Sequence, residues 1–323
     1  MFKSIGFILA FISFLTGFSS PVFSQDYPSR PIKLIVPLPP GGGTDLMGRV
    51  TAQILGNRLS QSVVVENKAG GGSIIGVDNV AKARPDGYTL LWTASDGVSI
   101  APALRNTPYK IPDDFSYIAR ISDFAYVITV NPKLPIYTLA DLISYAKKNP
   151  GKLRYGTAGV GSGPHLATEL VDSAAGIDML HVPYIGIGPA IAAALGGFVD
   201  VIFAAPTIKN HIDSGNLRAI AVTSKDRHPD LPNVPTLSEA GLQNLVITIW
   251  WGIMAPASTP EPILAKLRRE VDLMMKDPKT AESFRKIGYE PSYLPHEAFK
   301  EFVISDIDRW RTVAKKAKIV VTD

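Results

Sequence analysis

The 323-residue chain contains no cysteine, and this absence excludes several kinds of function at once. Disulfides, thiolate nucleophiles, cysteine metal ligands and a lipid-modified cysteine at the mature N-terminus are all ruled out. The excess of positive over negative charge is also small, because the formal net charge is only +4 and no dense run of Lys and Arg occurs. A nucleic-acid partner is therefore not expected.

Long apolar runs are missing from the chain except at its N-terminus. There the stretch Ile5–Phe18 follows the cation Lys3, and the small residues Val22 and Ser24 precede a candidate cleavage point. This pattern is typical of a secretory signal peptide over residues 1–24, and it predicts a soluble, periplasmic protein. An uncleaved anchor is the alternative, although the run is short for a bilayer span.

Short apolar runs alternate with helical patterns along the rest of the chain, which predicts an α/β fold with mainly parallel sheets. Two extended segments, Ala125–Asn131 and Val246–Ala255, are each followed by proline and are expected to cross between two lobes. The first domain would then comprise residues 25–126 and 249–323. The inserted lobe would comprise residues 127–248.

Two glycine-rich junctions join a predicted strand to a predicted helix. One is Pro39–Asp45, and the other is Gly159–Leu166. The helix after the first junction would bury a face of Leu46, Val50 and Ile54, widened by Met47 and Leu55. The first N–H groups of a helix lack intrahelical partners, and glycine allows a ligand to approach them closely, so each junction is a candidate anion site. Neither loop contains Lys or Arg, so the backbone would bind the anion. A tight strand-to-helix turn without a ligand is the alternative.

Motifs for catalysis, cofactors and metals are incomplete in this chain. The run from Gly159 begins like a dinucleotide fingerprint, but Pro164 occupies the last glycine position. Ser162 is not in a nucleophile elbow, because Val160 stands where glycine is required. The histidines lack the spacing of metal ligands on one helix face. No enzyme activity, cofactor or metal is expected, although an exported hydrolase or lyase and a ligand sensor remain alternatives.

Motifs along almost the whole mature chain resemble those of one family, the substrate-binding receptors of tripartite tricarboxylate transporters, also called Bug receptors. Each motif is short, but their order and spacing together are specific. In chain order they are Tyr27–Ile32, Val36–Gly42 with Asp45 and Arg49, Pro85–Leu91, Tyr155–Leu166, Val182–Tyr184, Gly196–Asp200, Val234–Thr236 and Trp251–Pro256.

The resemblance implies a two-lobed type II periplasmic binding-protein fold, each lobe being a mixed, mainly parallel sheet flanked by helices. It also implies a monomeric receptor that binds a small carboxylate in the interlobe cleft and delivers it to a two-component membrane permease, without catalysis. Carried over from the family, the expected ligand contacts are Pro40, Gly41, Gly42, Gly43, Thr44, Ala94 and Ser95 in the first lobe, and Thr157, Gly159, Ser162, Gly163, His165, Tyr184 and Ala205 in the second.

This sequence departs from the family pattern at two positions. Members often carry an acid or amide near the end of the strand Val201–Phe203, where this chain continues with Ala204 and Ala205. A ligand ammonium would lack that partner, which favours a plain carboxylate. Leu38 also replaces a common phenylalanine, which would reshape the edge of the pocket.

Overall fold

The computed structural model describes residues 27–316. The predicted signal peptide, residues 1–24, lies outside the described residues. Within 27–316, no helix is both long enough and apolar enough to cross a membrane. The strands are β1 Ile32–Val36, β2 Val63–Asn67, β3 Thr89–Ala94, β4 Phe115–Ala125, β5 Val127–Val130, β6 Arg154–Thr157, β7 Leu180–Pro183, β8 Val201–Ala204, β9 Arg218–Val222, β10 Thr248–Pro256 and β11 Glu290–Pro295. The helices are α1 Gly43–Leu59, α2 Ile74–Ala81, α3 Ala101–Leu104, α4 Leu139–Lys148, α5 Gly163–Ala175, α6 Ile187–Leu195, α7 Lys209–Asp213, α8 Glu261–Lys276, α9 Pro278–Arg285 and α10 His296–Lys316, with a π-helical turn at Asp96–Ile100 and a 3-10 turn at Pro206–Ile208.

The strands form two mixed sheets, each flanked by helices, and each sheet with its helices is one lobe. The first sheet has the order β11-β4-β10-β3-β1-β2, and the second has the order β7-β6-β8-β5-β9. Parallel pairing occurs where helices connect the strands, as in β1 with β2 and β3, and β6 with β7 and β8. The strands β4, β5, β10 and β11 pair antiparallel with their neighbours. The two sheets thus contain more antiparallel pairing than the mainly parallel arrangement that the sequence predicted.

The parallel strands direct several loops toward the space between the lobes. The carboxyl ends of β1 and β3 meet at one edge of the first sheet, and those of β6, β7 and β8 meet at one edge of the second. In open α/β sheets, ligands bind at such edges because the loops there converge. The glycine-rich loops after β1 and β6 therefore both approach the interlobe space.

Thr223 connects the two places at which the chain passes between the sheets. Tyr126 stands between β4 and β5, and Ile247 immediately precedes β10. The buried Thr223 hydroxyl accepts the Tyr126 N–H at 2.8 Å and donates to the Ile247 carbonyl oxygen at 2.6 Å. Backbone hydrogen bonds join Thr223 to the same two residues. Both crossings are therefore fixed to one side chain.

Replacing Thr223 with valine should destabilise the fold by about 2 kcal/mol. Valine preserves the shape but leaves the Tyr126 N–H and one bond to the Ile247 carbonyl without a partner, and a buried unsatisfied group costs about 1–3 kcal/mol. Urea unfolding at pH 7 measures the change. Thr223→Ser retains the hydroxyl and is the matched control, so an equal loss in both variants would contradict this role.

Candidate functional site

A cavity of about 440 Å³ lies between the two lobes. The first lobe contributes the loop after β1 and the π-helical turn. It also contributes aromatic side chains from β4, from β10 and from the residue before β11. The second lobe contributes Ala158, Pro164 and Ala205, together with the residues before and within the first turn of α6. The lining residues are Leu38, Pro39, Pro40, Gly41, Gly42, Gly43, Thr44, Asp96, Phe124, Tyr126, Ala158, Pro164, Ile185, Gly186, Ile187, Gly188, Pro189, Ala205, Ile249, Trp251 and Tyr289.

The first side of the cavity is the N-terminus of α1. The first backbone hydrogen bond into this helix runs from the Leu46 N–H to the Gly42 carbonyl, so the N–H groups of Gly43 and Thr44 have no acceptor within the helix. No side chain caps the helix at Gly42. Two unsatisfied donors and the positive end of the helix dipole therefore border the cavity, as the sequence predicted for this junction.

Asp45 lies in the first turn of α1 but is held by the surrounding protein. Its carboxylate accepts the Gly41 N–H at 3.0 Å and hydrogen bonds from the side chains of Arg49 at 3.0 Å and Asn67 at 2.9 Å. Although burial opposes the shift, these hydrogen bonds lower the pKa of Asp45. The carboxylate therefore stabilises the loop, and its charge is compensated by Arg49.

An aromatic cluster of Phe124, Tyr126, Trp251 and Tyr289 forms the floor of the cavity. Phe124 stacks on Trp251 with ring centroids 4.7 Å apart, while Tyr289 packs edge-on against Trp251 at the same separation. The Trp251 indole N–H donates to the Thr44 hydroxyl at 2.9 Å. The floor therefore positions Thr44 at the start of α1.

The second side of the cavity is the N-terminus of α6, which the sequence analysis did not single out. Gly186 precedes this helix with φ +95°, and Ile187 and Gly188 occupy its first two positions. Pro189 follows, as is common in a first turn where an N–H is not needed. The signal was present in the sequence, because a strand and a glycine turn precede a helix with proline in its first turn, both here and at Gly159–Pro164.

At the predicted site at the start of α5, protein groups already occupy the donors. The Gly163 N–H donates to an Asp96 carboxylate oxygen at 2.7 Å, and the Gly161 N–H donates to His165 Nδ1 at 3.1 Å. The Ser162 hydroxyl donates to the Gly159 carbonyl at 2.7 Å. The acceptor at this helix start is thus the carboxyl group of Asp96, which belongs to the other lobe.

The rings of His165, which is buried, and His181, which is half-buried, stack on each other beside the loop that precedes α5. Their ring centroids are 4.1 Å apart, and the Tyr155 ring stacks on His181 at 4.9 Å. His181 Nε2 and the Thr157 hydroxyl share a hydrogen bond of 2.6 Å. Burial lowers the pKa of His165 to about 4, and burial together with the neighbouring His165 lowers that of His181 to about 4. Both rings are therefore neutral at neutral pH and support the loop.

The fourteen predicted contacts fall into two groups in the structure. Six line the cavity: Pro40, Gly41, Gly42, Gly43, Thr44 and Ala205. The other eight are not among the lining residues, and they are Ala94, Ser95, Thr157, Gly159, Ser162, Gly163, His165 and Tyr184. Several of the second group hold the loops in place through the hydrogen bonds described above. The cavity also contains Asp96, Tyr126, Tyr289, Ile187 and Gly188, which the sequence analysis did not predict as contacts.

Asp96 is the one charged residue among those lining the cavity. It lies on the π-helical turn after β3 and is only 8% exposed. Burial raises the pKa of Asp96, although its hydrogen bond with the Gly163 N–H opposes the shift. Within residues 27–316 no three His, Asp or Glu side chains converge as a metal site would require. The cavity wall is therefore mainly apolar, with backbone donors at two helix starts and a single carboxyl group.

Comparison with known proteins identifies the family. The model of the tripartite tricarboxylate transporter family receptor matches residues 47–319. The chain belongs to this receptor family. It is 39% identical to protein BugT of Bordetella pertussis over 306 residues, which cover 93% of each chain. This receptor is accordingly a binding protein and not an enzyme.

Solved structures of relatives share the two-lobed fold of this receptor. Rpa4515 of R. palustris, solved with adipate, is 33% identical with a TM-score of 0.87, covering 91% of this chain and 99% of that one. The periplasmic binding protein BugD is 36% identical with a TM-score of 0.85 and the same coverage. The expected fold class is therefore confirmed, as is membership of a family of periplasmic binding proteins.

Proposed function

We propose that this receptor binds a small organic carboxylate in the interlobe cavity and delivers it to the membrane permease of a tripartite transporter. The observation that carries this proposal is that the N-termini of α1 and α6 border the same cavity from opposite lobes. Helix N-termini bind carboxylates through free N–H groups and the helix dipole. A relative of known structure holds adipate, a dicarboxylate, which agrees with this chemistry.

The carboxylate would be bound by backbone groups, with Gly43 and Thr44 on one side and Ile187 and Gly188 on the other. A hydrogen bond to a charged group contributes about 1.5–3 kcal/mol. A helix terminus adds about 0.3–1 kcal/mol at an exposed site and up to about 2 kcal/mol when partly buried. A few such contacts are sufficient for micromolar binding, which corresponds to roughly −8 kcal/mol. No cationic side chain is required.

Closure of the lobes around the ligand would remove it from water and strengthen each polar contact. The lobes already touch beside the cavity. A Cβ atom added to Gly42 would lie 3.6 Å from the Ile187 side chain, and one added to Gly186 would lie 3.4 Å from Pro39.

In the domain division proposed here, residues 25–126 and 249–323 form the first lobe and residues 127–248 form the second. Ligand release would then require rotation about the crossings that Thr223 connects.

The site of action proposed for the receptor is the periplasm, which it would reach after cleavage of residues 1–24. It would act there as a soluble monomer and bind its permease in the ligand-loaded state. Isolation of the ligand-bound receptor in complex with permease subunits in detergent would support transport. Selective binding of a signalling receptor instead would identify a sensor.

A thermal-shift screen with mono-, di- and tricarboxylates tests the proposed ligand class. An acid present at 100 times its dissociation constant should stabilise the fold by about 2.7 kcal/mol, which raises the melting temperature measurably. Calorimetric titration of each hit should give a stoichiometry of one. The absence of any shift across the acid panel, with an intact fold by circular dichroism, would contradict the proposal.

A further inference from the structure

Asp96 carries the one carboxyl group on the wall of the ligand cavity, and it lies where the two lobes meet. One of its oxygens accepts the Gly163 N–H of the second lobe at 2.7 Å. Among residues 27–316, no other residue forms a hydrogen bond of good geometry with the second oxygen, and no cation pairs with the carboxyl group. The second oxygen is therefore available to a ligand.

The Tyr126 hydroxyl lies beside this carboxyl group. A Cβ atom added to Gly163 would contact the Tyr126 hydroxyl and would lie 3.4 Å from the Asp96 oxygen. Burial, followed by the charge of Asp96, raises the pKa of Tyr126, so its phenol keeps the proton at neutral pH. No hydrogen bond within residues 27–316 uses this hydroxyl. The two groups together are named here the Asp96–Tyr126 subsite.

Closure of the lobes removes the Asp96 carboxyl group from water. The residue is only 8% exposed, and the donor that it binds, Gly163, belongs to the opposite lobe. Burial raises the pKa of Asp96, because a charge without a partner is costly in a region of low dielectric constant. The neutral acid keeps its carbonyl oxygen for the Gly163 N–H and gains an O–H donor.

The elements packed against the π-helical turn do not supply a charge that compensates Asp96. The strand β3 and the helix α3 contain no titratable side chain. Groups on or beside the other elements are bound elsewhere: Asp78 to Lys82, Asp306 to Arg309, Arg105 to the Gly71 carbonyl, Tyr109 to the Gly97 carbonyl, and Glu169 to the Tyr155 hydroxyl. His165 and Tyr289 are neutral at neutral pH, because burial lowers the pKa of His165 and raises that of Tyr289. The protonation of Asp96 is therefore decided by its burial and by what enters the cavity.

We propose that the receptor takes up a proton as it closes on its ligand, and that Asp96 donates this proton, beside the Tyr126 hydroxyl, to an oxygen of the ligand. The inference rests on the proposed function and adds the protonation of its site. One carboxylate of the ligand lies at the starts of α1 and α6, and the accepting oxygen lies at the Asp96–Tyr126 subsite. The proton comes from the solvent.

A second carboxylate at this subsite makes the proton uptake measurable. Two carboxylates close together in a buried site cannot both remain ionised, so they share one proton. That proton belongs to the pair formed by Asp96 and the ligand. A primary amide in the same place requires no proton, because its N–H groups suit the ionised acid and its carbonyl oxygen suits the neutral acid.

Dicarboxylates and their monoamides test the proposal with the wild-type protein. Glutarate and adipate are compared with glutaramate and adipamate by calorimetry between pH 6 and pH 9. Uptake of one proton changes a binding constant tenfold per pH unit, so the dicarboxylate should lose at least about tenfold in affinity over this range. The monoamide should change less than about threefold. Titrations in Bis-Tris and in Tris, two cationic buffers that do not compete for an anion site, should show proton uptake for the dicarboxylate alone.

The variant Asp96→Asn resembles the neutral acid, since its amide oxygen can accept the Gly163 N–H and its amide N–H can donate to the ligand. Its affinity for the dicarboxylate should change less than about threefold between pH 6 and pH 9. At pH 9 the variant should bind about tenfold more tightly than the wild type. A purely structural role for Asp96 predicts weaker binding at every pH and an unchanged pH profile, and that result would overturn the proposal.

Asp172→Asn is the matched control. Asp172 is also a buried carboxyl group, and burial raises its pKa to about 8, within the range of the titration. It accepts the Met179 N–H inside the second lobe and does not line the cavity. Asp172→Asn should therefore keep the pH dependence of the wild type. Loss of that dependence in Asp172→Asn, with retention in Asp96→Asn, would assign the proton to the wrong acid here.

The outcomes separate this inference from the proposed function. A dicarboxylate that binds with a flat pH profile and without proton uptake overturns the role of Asp96 and leaves the carboxylate receptor intact. Binding of monocarboxylates alone has the same meaning. Failure of every acid in the thermal-shift screen overturns the receptor function and this inference with it. If Asp96→Asn does not fold, the comparison of dicarboxylate and monoamide on the wild type decides.

Discussion

Replacing Gly163 with valine should lower ligand affinity on the order of 100-fold while leaving both lobes folded. A Cβ atom at Gly163 would overlap the Tyr126 hydroxyl and lie 2.8 Å from the Ile249 side chain, both of which line the cavity from the first-lobe side. Overpacking of this kind costs about 1–3 kcal/mol. Gly163 belongs to the second lobe, whereas Tyr126 and Ile249 line the cavity from the first-lobe side, so we expect the clash to oppose closure of the lobes.

The size of the effect follows from the population of the closed form. If only that form binds ligand tightly, the apparent dissociation constant rises in proportion to the loss of its population. A penalty of about 3 kcal/mol corresponds to roughly 100-fold. Calorimetry with the acid that stabilises the wild type most measures the affinity. Small-angle scattering should show a larger radius of gyration for the variant.

A rescue experiment tests the cause of this loss. Tyr126→Phe removes the atom nearest to the added Cβ, so Gly163→Ala combined with Tyr126→Phe should bind more tightly than Gly163→Ala alone. Non-additivity of this kind is expected for residues in direct contact. Undiminished affinity in Gly163→Val would show that the lobes need not approach at this point for binding.

The general architecture was accessible from the sequence because it depends on local patterns. Alternating apolar runs and helical periodicity indicated the α/β fold. The glycine-rich junction after Ile32–Val36 indicated the start of α1, and that helix does begin at Gly43. The proline-bounded extended segments overlapped the actual crossings at Tyr126 and Ile247. Each of these features is determined by residues close together in the chain.

The buried face of α1 was less predictable, since it depends on tertiary packing. The spacing predicted a buried face of Leu46, Val50 and Ile54, widened by Met47 and Leu55. Met47 and Leu55 are fully buried, but Leu46 at the start of the helix is 39% exposed. Gly48 allows the close approach of Trp92 from β3, because a Cβ atom there would lie 2.9 Å from the indole ring. That contact fixes the rotation of the helix. Nothing near Gly48 in the sequence identifies Trp92 as its neighbour.

The same limit explains why the sequence pointed to the start of α5 and not to the start of α6 as the anion site of the second lobe. The starts of α5 and α6 share a strand, a glycine turn and a proline, and the local chemistry of each suits an anion. Only the fold shows that Asp96, far away in the chain, accepts the Gly163 N–H at the α5 start, and that the α6 start also borders the cavity. Occupancy by another part of the chain is a long-range property that local motifs do not encode.

The histidine stack should make the folded receptor sensitive to acid below about pH 6.5. His165 has a folded-state pKa of about 4, compared with about 6.5 for an unperturbed histidine. Between these two pH values the unfolded chain binds more protons, so stability falls as the pH falls through this window, and His165 contributes nothing above it. The loss attributable to His165 is on the order of 3 kcal/mol by pH 4. His181, with its pKa also lowered, adds to the loss in the same direction.

Measuring this loss requires a variant, because nearby acids act in the opposite sense. Burial raises the pKa of Asp172 on α5 to about 8, so its protonation stabilises the fold as the pH falls from 8 toward 4. His165→Asn keeps an acceptor for the Gly161 N–H but does not titrate. Between pH 7 and pH 4, the free energy of unfolding by urea should therefore fall by about 3 kcal/mol less in His165→Asn than in the wild type. His211→Asn on α7 is the control, and parallel pH profiles for wild type and His165→Asn would contradict the buried, neutral assignment of His165.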